Sequence, residues 1–226
     1  MLIAGDIQMA ESVSSELPTE IQATVRNYFA TPVIASPLPD SEALNVQLRE
    51  IILERERTSP SAEHSNLGGW QSTWDLAEWS GEPGRTVLNV AMRLGTRMTA
   101  DRAGKPVKGN WKTNAWANIN RASNGNEFHT HPGSYWSATD YVDDGGIADD
   151  PSLGGEFEIQ DPRGVAPAMY APLLAFAMNG RQSVGASELV HPKAGYMIMF
   201  PAWLSHGVQP YTGTSTRISI ALNLSV

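Results

Sequence analysis

Five histidines, His64, His129, His131, His191 and His206, are the side chains best suited to bind a transition metal or move a proton near neutral pH. The chain has no cysteine, so thiolate ligands, thiol nucleophiles and disulfides are excluded, and a metal must be held by His, Asp or Glu. Two of the histidines form His129-Thr130-His131 in a segment that reads as a strand. Side chains at i and i+2 leave a strand on one face, so both imidazoles can aim at one centre. A lone pair of this kind is read equally well as two hydrogen-bonded structural histidines. A third imidazole from elsewhere in the chain, such as His206, would complete a facial set.

Downstream of His206 the run from Arg217 alternates strictly. Arg217, Ser219, Ala221 and Asn223 face one way, and Ile218, Ile220, Leu222 and Leu224 face the other. The apolar side should pack on helices, while an Arg and a Ser among small residues suit a pocket wall. A guanidinium there matches a carboxylate bidentately; on its own it is better read as a salt bridge at the rim. Asn118 and Asn120 alternate along another expected strand and can reach a bound acid. Tyr141 and Trp203 can line a substrate pocket or belong to the core. Asp161-Pro162-Arg163 reads as a strand-ending turn with a local ion pair. His64 and His191 lie outside the constellation and are expected to face solvent. Gly68-Gly69 lacks the Lys-Ser/Thr that a phosphate loop needs.

These residues need a scaffold, and 226 residues suffice for one large domain. With 41% hydrophobic and 18% charged residues the chain is globular rather than disordered. Its net charge of −8 argues against sequence-independent nucleic-acid binding and modestly favours a neutral or cationic target. No stretch approaches a membrane span, and the N-terminus lacks the pattern of a signal peptide. A soluble cytoplasmic protein with a mobile tail over 1–18 is therefore the expectation, followed by a single domain over 19–226. Helices are expected over Thr19–Phe29, from Asp40 or Ser41 to Thr58 (Leu44, Leu48, Ile51 and Ile52 in phase), and from near Pro83-Gly84 (Val87, Leu88, Ala91, Leu94 and Met98 in phase). Strands are expected at 111–120, 128–131, 135–142, 157–160, 196–200 and 217–224, with long loops at 143–155 and 180–188. This is a mainly β fold with flanking α-helices, of the jelly-roll kind.

The combination of His-x-His, a distant His206 and Arg-x-Ser eleven residues beyond it resembles the 2-oxoglutarate- and Fe(II)-dependent oxygenases, most closely the branch related to prolyl hydroxylases. The resemblance is carried by FATPV (29–33), SNLGGWQS (65–72), WANIN (116–120), EFHTHPGS (127–134), DPR (161–163), KAGYMIMFPAWLSHGVQPY (193–211) and RISIALN (217–223). It implies a double-stranded β-helix (cupin-like) core, Fe(II) as metal and 2-oxoglutarate as cosubstrate. It also implies His129 and His206 as metal ligands, and Arg217 with Ser219 gripping the cosubstrate's far carboxylate. His131 stands where the wider superfamily has Asp or Glu. Three neutral imidazoles leave the centre at +2, which still suits a dianionic cosubstrate. Asp140 is the alternative third ligand, placed behind His131 because it falls on the next strand.

The function this implies is hydroxylation of an unknown substrate with release of succinate and CO2. Two alternatives stay open: a three-histidine iron dioxygenase that does not use 2-oxoglutarate, and a non-catalytic jelly roll that binds a metal or carboxylate. Hydrolysis is disfavoured, since the chain has no Cys, GxSxG or HExxH. As partners the sequence leaves an unidentified small-molecule or protein substrate and a homodimer, with neither nucleic acid nor membrane.

Overall fold

A strand that is apolar at every second position needs cover on one face and a strand that is apolar throughout needs it on both, and this fold supplies both kinds of cover. A computed structural model describes residues 29–174 and 185–226. The chain divides into the units Met1–Ala30 and Thr31–Val226, and every described strand and helix belongs to the second. The expected tail over 1–18, residues 19–28 of the expected helix and part of the loop at 180–188 lie outside the described residues, and Phe29 itself is a bend with φ 60°.

Strand β1 (Ile34–Pro37) leads into helix α1 (Ser41–Thr58), the two-residue strands β2 (Asn66–Leu67) and β3 (Trp70–Gln71), and helices α2 (Leu76–Trp79) and α3 (Gly81–Arg97). Strands β4 (Lys112–Asn120), β5 (Gly125–His129), β6 (Trp136–Asp143) and β7 (Phe157–Gln160) follow, then the short helix α4 (Ala166–Tyr170). The chain closes with β8 (Ser187–Val190), β9 (Tyr196–Pro201), β10 (His206–Val208) and β11 (Arg217–Ser225). All strand pairs are antiparallel. They build a six-stranded sheet in the order β1-β9-β6-β11-β4-β3 and a five-stranded sheet in the order β2-β5-β10-β7-β8.

The larger sheet has a different neighbour on each face. Its outer face offers Ala115, Ala117, Ile119, Met197, Met199 and the even-numbered residues Ile218 to Leu224 to Leu44, Leu48 and Ile52 of α1 and Val87, Leu88 and Ala91 of α3. Fully burying each large aliphatic side chain contributes roughly 1.5–3 kcal/mol. The inner face sends Tyr141, Ile198 and Phe200 against Phe157 and Ile159 of the smaller sheet. The run Tyr196–Pro201 is almost wholly apolar for this reason: β9 is covered on both sides.

Local starts and stops depart from expectation in three places. Helix α1 begins at Ser41, but Asp40 adopts a left-handed conformation (φ 46°) and makes no side-chain cap. Helix α3 opens at Gly81, before Pro83, and Met98 lies past its end, 45% exposed and outside the apolar stripe. Strand β5 ends at His129, so the histidine pair straddles a strand end rather than lying within one. The strands β2, β3 and β10, of two or three residues, are too short to show a period of two.

Candidate metal and cosubstrate site

His206 on β10 stands directly opposite His129 on β5, and directly opposed strand residues carry side chains within about 5 Å of each other. His131 has left the strand and is fixed by its backbone N–H, which donates to the Ala202 carbonyl (2.9 Å). One potential ligand atom from each of the three imidazoles lies within 4.8 Å of the other two. His129 Nδ1 sits 2.7 Å from the Glu127 carbonyl and His206 Nδ1 sits 2.8 Å from the Leu204 carbonyl. Those bonds fix the tautomer with hydrogen on Nδ1 and leave each Nε2 lone pair free, an arrangement common to metal-ligating histidines. Burial, and then repulsion from the neighbouring rings, lowers the His131 pKa to about 3. Burial lowers His206 to about 4 and lowers His129 as well. All three are neutral at physiological pH, as metal ligation requires. The residues fit a divalent transition metal.

The strand register converts the inner face into rows across β4, β11 and β6. Asn120 is level with Arg217, and Asn118 with Ser219 and Tyr141. Trp116 is level with Ala221 and Thr139, and Asn114 with Asn223 and Ser137. A bulge between Ile218 and Ser219, with Val142 as the extra residue of β6, ends the regular pairing beside Arg217. Arg217 is 1% exposed. Its Nη1 donates to Asn120 Oδ1 at 3.1 Å, its Nε has no partner, and among the described residues no carboxylate pairs with it. A buried cation without an anion is costly, and a ligand carboxylate at this spot would relieve it. The Asn118 Oδ1 is also buried without a hydrogen-bond partner, and the buried Tyr141 hydroxyl has the Arg217 guanidinium beside it. The residues therefore fit 2-oxoglutarate too.

Not every expected site residue lies where the sequence reading put it. His129, His131, His206, Arg217, Ser219 and Asn118 line one pocket. Asn120 is reached through Arg217, which it holds in place. Tyr141 does not line a substrate pocket: its ring lies under the Arg217 guanidinium (5.3 Å), at the cosubstrate end, and burial pushes its hydroxyl up to about 12. Trp203 is 57% exposed and lines neither cavity, because it falls in the turn after β9. Asp140 is fully buried opposite Ile220 and Met197, on the helix-facing side of β6, so the sheet separates it from the histidines. His64 is exposed as expected, yet it stands edge-on to Trp74 (5.8 Å) at the rim of a cavity shared with His129 and His131. The sequence reading passed over Gln71 and Trp116, which line that region. Their presence in the segments 65–72 and 116–120 was the available signal. His191 lies 3.8 Å from Glu156, away from the site, and Asp161 and Arg163 pair within their turn.

Residues 114–223 match the family model described as "Putative 2OG-Fe(II) oxygenase". No curated protein matches the sequence. Among solved structures, a prolyl-4-hydroxylase from Pseudomonas putida superposes with a TM-score of 0.60 at 14% identity, covering 86% of this chain and 92% of that one. A prolyl hydroxylase from Trichoplax adhaerens, in complex with a hypoxia inducible factor peptide fragment, gives 0.59 at 12% identity, with 85% and 83% covered. HygX from Streptomyces hygroscopicus, with nickel and 2-oxoglutarate bound, gives 0.54 at 10% identity, with 86% and 83% covered. At these identities the likeness establishes the fold, a double-stranded β-helix, and leaves substrate to other arguments.

Proposed function

We propose, from the match of residues 114–223 to the family of putative 2OG-Fe(II) oxygenases, that the chain is a hydroxylase in which His129, His131 and His206 hold Fe(II) and Arg217 anchors 2-oxoglutarate. The balanced reaction consumes substrate R–H, O2 and 2-oxoglutarate and yields R–OH, succinate and CO2. Iron with its chelated cosubstrate supplies the O2 activation and the hydrogen abstraction. The protein's share is positional. The Nε2 atoms of His129 and His206 and a ring nitrogen of His131 would hold the metal, Arg217 with Ser219 and the Tyr141 hydroxyl would receive the far carboxylate, and Asn118 is placed on the same inner face to hydrogen-bond the acid. The apolar wall of Phe157 and Phe200 around His206 limits water.

The observation that carries this reading is Arg217, buried and without an anion on the same inner face as three neutral imidazoles. The test is anaerobic titration of Fe(II)-loaded protein with 2-oxoglutarate, following the visible metal-to-ligand charge-transfer band. The band should appear in wild type and require at least tenfold more cosubstrate in Arg217→Ala, which loses a charge-assisted bidentate contact. Stoichiometric iron with no band would overturn the cosubstrate assignment. It would favour the three-histidine dioxygenase that the missing carboxylate ligand also permits, with Arg217 then holding the substrate's own carboxylate. Succinate formation separates the two.

A further inference from the structure

A second cavity of about 260 Å³ borders the histidine cluster on the side away from Arg217 and shares His129 and His131 with it. None of the described residues lining it is Asp, Glu, Lys or Arg. That is notable in a chain with 16 basic and 24 acidic residues. Its apolar surface is aromatic: Trp116 is 8% exposed and tilted against His131 (5.8 Å), and Trp74 closes the outer side. Its polar surface combines the carboxamides of Gln71, Asn114 and Asn223 with the hydroxyl residues Ser65, Thr130 and Ser134, beside the imidazoles. Gln71 is 2% exposed overall and lines the cavity, and among the described residues its side-chain amide makes no hydrogen bond to protein, which leaves it to whatever fills the cavity. Asn223 Nδ2 and Asn114 Oδ1 approach to 3.5 Å at the far end.

Resting on the iron assignment above, we infer that this cavity receives the reacting part of the substrate, that this part is an uncharged amide, and that Gln71 selects it. With the metal's charge balanced by the dianionic cosubstrate, a carboxylate in the cavity would find no Lys or Arg and an ammonium no Asp or Glu, so either would lose its hydration without compensation. The glutamine carboxamide presents an N–H donor and a carbonyl acceptor side by side; a primary ligand amide can pair with both at once, and a trans secondary amide with one of them. A site built to hydrogen-bond such a group rejects analogues that leave its own groups unpaired. The indole faces accept the apolar or ring carbons next to the amide and hold them beside the metal.

Four matched aromatic probes test this on Zn(II)-loaded protein saturated with 2-oxoglutarate, which is diamagnetic and does not turn over. The probes are benzamide, N-methylbenzamide, benzoate and benzylammonium, followed by ligand-observed NMR and tryptophan fluorescence. At least one amide should bind tenfold tighter than both charged probes. The primary amide prevailing points to a small-molecule carboxamide, and the secondary amide prevailing points to a peptide-type substrate. Gln71→Leu should abolish the preference, and Gln71→Glu should shift it towards benzylammonium. A charged probe binding as tightly as the amides, no detectable amide binding, or an unchanged preference in both variants would overturn the inference. If 2-oxoglutarate itself fails to bind, the hydroxylase reading falls, while the amide preference is still measured on the metal-loaded protein alone. If 2-oxoglutarate binds and the preference is absent, only the inference falls.

Discussion

Asp140 shows how one residue's face decides its chemistry. Its sequence position, nine residues after His131, made it a candidate ligand, but period-two alternation puts Tyr141 inward and Asp140 against the helices. There the carboxyl group is fully buried, both its oxygens lack partners, and burial raises its pKa to about 7. The folded pKa lies above the unfolded value near 4, so Asp140 is tolerated best below that unfolded value and costs stability as pH rises through about 7. The expected outcome is that Asp140→Asn stabilises the protein, with a gain that grows between pH 5 and pH 8 and reaches a few kcal/mol at the upper end. Chemical denaturation at both pH values checks it. Metal affinity should not change, whereas a ligand role would abolish it. The histidines were legible by type and spacing, but the face that Asp140 occupies was fixed only when β6 paired with β9 and β11.

At the scale of the element, the two-residue strand β3 does more for the site than its length suggests. It aligns Gln71 with Asn118 and Trp70 with Ile119, and it enters through Gly69 at φ +71°. A Cβ at Gly69 would lie 2.6 Å from the Ile119 carbonyl oxygen, so only glycine lets the chain pass so close to β4. Gly69→Ala should therefore destabilise by about 1–3 kcal/mol in urea unfolding and displace Gln71. Wild-type stability with an unchanged amide preference would show that the strand tolerates the shift. The long strands β4, β6, β9 and β11 were legible from alternation. Strands β3 and β10 were not, because two or three residues carry no period and exist only through pairing with longer neighbours.

Across the whole molecule, three imidazoles held neutral and close together are a ligand set that the unfolded chain does not possess. Metal binding must then be linked to folding. At a hundredfold excess over the dissociation constant it adds about 2.7 kcal/mol, which for a chain of this size raises Tm by about 5–10 °C. Thermal unfolding with and without Ni(II) or Fe(II) measures it, and His206→Ala should lose most of the shift. An equal shift in that variant would place the metal elsewhere.

The candidate site residues were legible in the sequence, by their types and by the family resemblance that their order carries. His129, His131, His206 and Arg217 announce themselves by type and order, and the alternation of 217–224 already assigns one face to a pocket and one to helices. Tertiary structure decided which of them meet and what surrounds them. It set His206 against His129 across a strand pair and turned Tyr141 under Arg217. It also left Trp203 in solvent and brought Gln71, some sixty residues away in sequence, beside the metal site. The physical reason is that alternation fixes only the side from which a residue leaves its own strand. Register, bulges and the backbone hydrogen bond that holds His131 are set by pairing between distant segments, and no local pattern encodes those.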